Sequence, residues 1–119
     1  KKKFIYLISP NKISNIFYKN LDLILKTGKV GLFQLRLKYY SSKKKIHIGR
    51  KIKKICKKNK VIFLVNDDPL LALKLNADGC HLGQKDMKIK KARKREMKLT
   101  LIVTQRGGRR IKNIYIFVF

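Results

Sequence analysis

The sequence predicts an α/β fold built on a parallel sheet, and three observations carry that expectation. Short continuous apolar runs of strand length recur along the chain, as in Phe4 to Ser9, Val30 to Leu37, Val61 to Val65, Gly79 to Leu82 and Leu99 to Thr104. Between them lie segments whose apolar residues follow helical spacing. The connections are short and punctuated by Ser, Asp, Pro and Gly, so the order is β-α repeated four times and then β, the pattern of right-handed crossovers onto one sheet.

Each element follows from local chemistry. Phe4 to Ser9 is closed by Pro10 and suits a strand buried on both faces. Ser14 can cap a first helix whose apolar positions are Phe17, Leu21, Ile24 and Leu25, and Gly28 supplies a left-handed stop. After the strand ending at Leu37, a second helix opens at Ser41 or Ser42 and ends near Asn59. It carries Ile48, Ile52, Ile55 and Cys56 on one stripe, with lysines on its other faces. Asp68 can cap a third helix with Pro69 at its first position, where the missing N–H costs nothing. Ile89, Ala92 and Met97 mark a weaker fourth helix before the fifth strand.

At 119 residues the chain has the length of one domain or of part of a larger one. A hydrophobic content of 45% supports a packed core. The net charge of +26 admits a polyanionic partner, and non-specific nucleic-acid binding follows from charge alone. A lysine-rich compositional drift explains the same excess, because lysine is spread over several segments and no aromatic residues interleave with it. Cys56 and Cys80 form no CxxC pair, so a disulfide or zinc site is not expected and a reducing, cytoplasmic setting is. No window approaches the roughly 18 apolar residues of a membrane helix. The stretch from Gln105 onward changes character, being rich in glycine and basic residues before a last apolar run, Ile114 to Phe119. Residues 1–104 are therefore expected to form one unit and residues 105–119 a divergent, truncated or frame-shifted tail.

The chemistry gathers between Val61 and Asp86. The chain has six acidic residues, and four of them, Asp67, Asp68, Asp78 and Asp86, fall in this segment. Asp68 is accounted for as a helix cap and Asp78 as a turn residue. Asn66 and Asp67 end the third strand and Asp86 follows the fourth, so the two carboxylates can approach one point above the sheet. Hard oxygen ligands of that kind suit Mg²⁺ completed by phosphate oxygens and water. Gln34, Arg36 and Lys38 alternate at the end of the second strand, where two cations and an amide would grip a diphosphate or simply form a solvated edge. Thr104 could add a hydroxyl. His81 stands in the fourth strand as a packed residue or a substrate contact, and His47 lies on the polar side of the second helix.

YLISP near the start, FQLRLK at Phe33 to Lys38, VNDDP at Val65 to Pro69 and NADGCHLGQKDM at Asn76 to Met87 together resemble thiamine-phosphate synthase, over about residues 4–104. The resemblance implies a (βα)₈ TIM-barrel fold with about the first five strands present in this chain, since such a barrel seldom needs fewer than about 200 residues. It implies synthesis of thiamine phosphate from a pyrimidine methyl diphosphate and a thiazole phosphate, with release of pyrophosphate. By that likeness Gln34, Arg36, Lys38 and Asn66 hold the diphosphate, Asp67 and Asp86 bind Mg²⁺, and Thr104 touches the pyrimidine. The family pattern also shows departures here: Ile102 stands where a glycine is usual, and Gln105-Arg106 replaces a Cys-His or Thr-His pair. Hence an inactive fragment, a non-catalytic regulatory relative and a basic nucleic-acid-binding module remain as alternatives. Five strands would leave two open edges, so the isolated chain is expected to be unstable or to associate.

Overall fold

The computed structural model describes residues 4–83, 100–104 and 114–118, the last two stretches and the ends of the first as backbone only. The predicted fourth helix lies outside the described residues. The described elements run β1 (Phe4–Ile8), α1 (Asn15–Leu25), β2 (Val30–Leu35), α2 (Ser42–Lys58), β3 (Ile62–Asn66), α3 (Pro69–Lys74), β4 (Gly79–Gly83), β5 (Thr100–Thr104) and β6 (Ile114–Val118).

The strands form one six-stranded sheet in the order β5-β4-β3-β2-β1-β6. Every pairing is parallel, so every strand ends on the same side of the molecule. In register, Ile8 lies beside Gln34, Gln34 beside Leu64, and Asn66 beside His81. The apolar run expected as part of a divergent tail supplies β6, which pairs with β1 from Phe4↔Ile114 to Ile8↔Val118. Among the described residues the sheet thus holds the five strands expected of residues 4–104 and, beside β1, this one.

Strand alternation divides the sheet into two faces. Leu7, Phe33, Leu35, Phe63, Val65 and Cys80 point to the helical layer and share one core with Leu21, Leu25, Ile48, Ile52, Cys56, Leu71 and Ala72. Tyr6, Gln34 and Leu64 are buried outside that cluster, on the opposite face. Ile62, two positions before Leu64 on the same face, is 49% exposed.

Local signals account for the helices. The predicted stripe of α2 is buried as Ile48, Ile52 and Cys56, with Ile55 partly buried. Ser41 caps α2 by accepting from the Lys44 N–H at 3.3 Å, and Asp68 caps α3 by accepting from the Leu71 N–H at 3.0 Å. Ser14 does occupy the N-cap of α1, but its side chain makes no cap bond; its carbonyl accepts from Phe17 N–H at 3.0 Å instead. Gly28 takes φ +73° after α1, the left-handed conformation expected of it. Where α2 ends, Lys60 takes φ +57° without a glycine. Asp22 of α1 binds the end of α2, accepting from Asn59 Nδ2 at 3.0 Å and pairing with Lys58 at 3.6 Å. Gly49 of α2 sits so close to Leu75, beyond α3, that a Cβ would collide with the leucine methyl. Among the described residues no helix is long and apolar enough to cross a membrane.

Candidate functional site at the carboxyl ends of the strands

The ends of β1, β2, β3 and β4 carry a continuous set of polar side chains. Tyr6 Oη donates to Gln34 Oε1 at 2.8 Å, and Gln34 Nε2 donates to Asn66 Oδ1 at 2.6 Å. His81 Nδ1 lies 3.3 Å from the same Asn66 oxygen. Asn66 Nδ2 in turn donates to Asp67 Oδ2 at 2.9 Å. The register explains the meeting. Gln34 and Asn66 stand on neighbouring strands one pleat apart, on the face away from the helices, and His81 is the direct neighbour of Asn66.

Burial grades along this chain of contacts. Tyr6 and Gln34 are buried, Asn66 and His81 are half-buried, and Asp67 is exposed. Loss of water pushes the Tyr6 phenol up to about 12, so it stays protonated. A buried amide costs free energy unless its groups are paired, and Gln34 is paired at both ends. Asp67 sits in the left-handed region at φ +58°, its N–H donating to His81 O at 2.8 Å. Such a conformation in a non-glycine residue costs about 1–3 kcal/mol and clusters at functional sites. Here it turns the carboxylate out of the strand line.

The loops above β1 and β2 are fastened to each other. Ser9 Oγ accepts from the Arg36 N–H at 2.8 Å, and Tyr40 Oη accepts from the Ile13 N–H at 2.9 Å. Because Ser9 takes that N–H, β2 ends at Leu35 and not at Leu37, and the pleat does not carry through to Arg36 and Lys38 as expected from alternation. Arg36 nonetheless keeps its Nε buried, with no hydrogen-bond partner among the described residues. Lys38 is exposed.

Thr104 ends β5, two strands from β3 and on the same side of the sheet, with only its backbone described. Asp86 lies outside the described residues. Asp78 serves the opposite end of the sheet, its Oδ2 accepting from Phe63 N–H at 2.8 Å. Cys80 faces the helical layer, and burial pushes its thiol up to about 11. Among the described residues no group of three or more His, Cys, Asp or Glu side chains gathers as a metal site. Tyr6 and Ser9 escaped the sequence reading; a hydroxyl inside an otherwise apolar strand was the available signal. An apolar groove of about 490 Å³ along α1, lined by residues such as Phe17, Leu21 and Leu23, shares none of these residues.

What this arrangement can do is bind an anion. Arg36 and Lys38 follow β2, Asp67 offers a hard oxygen beyond β3, and the paired amides of Gln34 and Asn66 lie between.

Comparisons with known proteins place the fold and the family. A thiamine phosphate pyrophosphorylase from Pyrococcus furiosus superposes with a TM-score of 0.76 at 24% identity, covering 87% of this chain and 50% of that one. The likeness establishes the fold as the α/β, TIM-barrel type with a parallel sheet. The thiamine-phosphate synthase of Pelagibacter ubique is 67% identical over 94 residues, which are 78% of this chain and 45% of that protein. The Campylobacter jejuni enzyme of the same name is 41% identical over 92 residues, covering 76% of this chain and 43% of its own. The chain thus spans about half the length of the relatives it matches. The family model for thiamine monophosphate synthase matches residues 5–107, nearly the whole described sheet, and the chain belongs to that family.

Proposed function

We propose that this chain carries the pyrimidine-diphosphate half of a thiamine-phosphate synthase site. The reaction would join 4-amino-2-methyl-5-(diphosphooxymethyl)pyrimidine to a thiazole phosphate, giving thiamine phosphate and pyrophosphate. The observation that carries the reading is Arg36, whose Nε is buried and unpartnered among the described residues at the carboxyl end of β2. A buried guanidinium nitrogen without a protein acceptor is suited to a phosphate oxygen.

The residues divide the work. Gln34 is locked between Tyr6 and Asn66 and holds the floor of the site rigid. Arg36 and Lys38 grip the diphosphate and stabilise the charge that develops as it leaves. The C–O bond breaks with its electron pair going to pyrophosphate, and the pyrimidine-stabilised cation is captured by the lone pair of the thiazole nitrogen. No side-chain nucleophile is required, in keeping with two thiols that are both buried. Thr104 would touch the pyrimidine. The exposed, outward-turned Asp67 fits a Mg²⁺ site, because Mg²⁺ usually takes one or two carboxylates and completes its shell with phosphate and water. Asp67 and Asp86 are the residues that would hold it, and its contribution when bound is neutralisation of the departing pyrophosphate.

The test is turnover of the purified chain with Mg²⁺ and both substrates, thiamine phosphate being read after conversion to a fluorescent product. Product that disappears in Asp67→Ala and Asp86→Ala supports a synthase. Calorimetry with Mg²⁺ and pyrophosphate, in about 200 mM salt to screen the general positive field, separates a chain that binds the diphosphate without turnover from one that does neither. The second outcome would sink the reading.

A further inference from the structure

The polarity of the hydrogen-bond chain across β1 to β4 is set at its carboxylate end, since the Tyr6 hydroxyl can donate or accept. A carboxylate only accepts, so Asn66 must turn its Nδ2 toward Asp67 Oδ2, 2.9 Å away. Asn66 Oδ1 then faces Gln34, which must present its Nε2 at 2.6 Å and leave Oε1 for Tyr6 at 2.8 Å. Oδ1 also lies 3.3 Å from His81 Nδ1, a contact that favours the tautomer with the proton on that nitrogen. Reversing any one amide would set two acceptors or two donors against each other.

Tyr6 is the buried terminus of this chain, 6% exposed, and its hydroxyl is the donor that satisfies Gln34 Oε1. We propose that Tyr6 is a positioning residue which, through Gln34 and Asn66, holds the Asp67 carboxylate and the His81 ring in the one orientation the site uses. The proposal rests on the synthase reading for the identity of the ligand, and on the hydrogen-bond geometry alone for the relay. Without the phenol, Gln34 Oε1 is left buried and unpaired. Gln34 can then swing away from Asn66 to satisfy that oxygen, and the Asn66 side chain between Asp67 and His81 loses its fixed backing.

The experiment uses the full chain labelled with ¹⁵N-histidine, His47→Gln serving to assign the two imidazoles. In the wild type His81 is expected as the Nδ1–H tautomer; finding it as Nε2–H would overturn the relay without any further variant. Tyr6→Phe is then compared for the His81 tautomer and for binding of Mg²⁺ with pyrophosphate. A mixed tautomer, with affinity about 10- to 100-fold weaker, as for other partners that orient ligating groups, is the expected result. Lower thermal stability with both the tautomer and the affinity unmoved would make Tyr6 merely structural. An altered tautomer with unchanged affinity would equally remove its positioning role. If the wild type fails to bind Mg²⁺ and pyrophosphate while Tyr6→Phe still alters the tautomer, the relay stands and the synthase reading is what fails.

Discussion

Gln34 and Asn66 face each other across 2.6 Å at the ends of β2 and β3, an amide donating to an amide on the face of the sheet turned away from the helices. Replacing Gln34 with leucine keeps the volume and removes both hydrogen-bonding groups. Tyr6 Oη and Asn66 Oδ1 each lose a partner, and a buried polar group left unsatisfied costs about 1–3 kcal/mol. Urea unfolding of Gln34→Leu should therefore give a lower midpoint with an unchanged slope, and binding of Mg²⁺ with pyrophosphate should weaken at least about tenfold. An unaltered midpoint would contradict the pairing.

Gly49 of α2 packs against Leu75 at the end of α3. A methyl group there gains about 1 kcal/mol of helix propensity over glycine, yet must displace the buried Leu75 side chain. Overpacking of that kind costs about 1–3 kcal/mol, so Gly49→Ala should be neutral to mildly destabilising. Gly49→Val, bulkier and β-branched, should lower the melting temperature clearly. Combining it with Leu75→Ala should recover part of the loss, a non-additivity that a thermal melt of the double variant would register.

Cys56 and Cys80 are both fully buried, and burial pushes their thiols up to about 12 and about 11. The reactive species is the thiolate, so both should resist iodoacetamide at neutral pH until the chain opens. The folded values lie above the ordinary thiol value of about 8.5. The stability they contribute is therefore complete below that pH and is lost as pH rises toward the folded values. A melting temperature that falls above about pH 9, and falls less in Cys56→Ala, is the expected outcome.

Asp22 has its carboxyl held below the usual range, first by the hydrogen bond from Asn59 and then by Lys26 and Lys58. A depressed folded value stabilises above the unfolded carboxyl pKa and ceases to do so as pH falls through the folded one. Asp22→Asn should melt lower than the wild type at neutral pH, with the two curves converging in acid. A constant difference at every pH would show that charge plays no part.

How much of this could be read from the residues alone depended on distance along the chain. The Asp68 cap, the Gly28 stop and the buried stripe of α2 are set by neighbours within one or two turns, and each stood where expected. The Ser14 cap was half right, its position correct and its side-chain bond absent. Asn66 and Asp67 could be placed together because both end one strand. The end of β2 could not be read, since the group that takes the Arg36 N–H is Ser9, in the loop that follows another strand. For the same reason Tyr6 escaped notice: its role exists only when β1 lies against β2 in this register. Gly49 depends on a contact with a different helix, and β6 on a strand order that no local pattern encodes.

The pairing of β6 with β1 joins Phe4 to Ile114, almost the whole chain apart, whereas β1 meets β2 through Ile5 and Val30. Closing the larger loop costs more chain entropy before any ladder bond repays it. The order of assembly follows from that asymmetry. The units from β1 to β4 can collapse on local contacts, and the outer ladder with β6 must form last and open first. In a pulsed hydrogen-exchange refolding experiment the amides bridging β1 and β6 should gain protection later than those bridging β1 and β2.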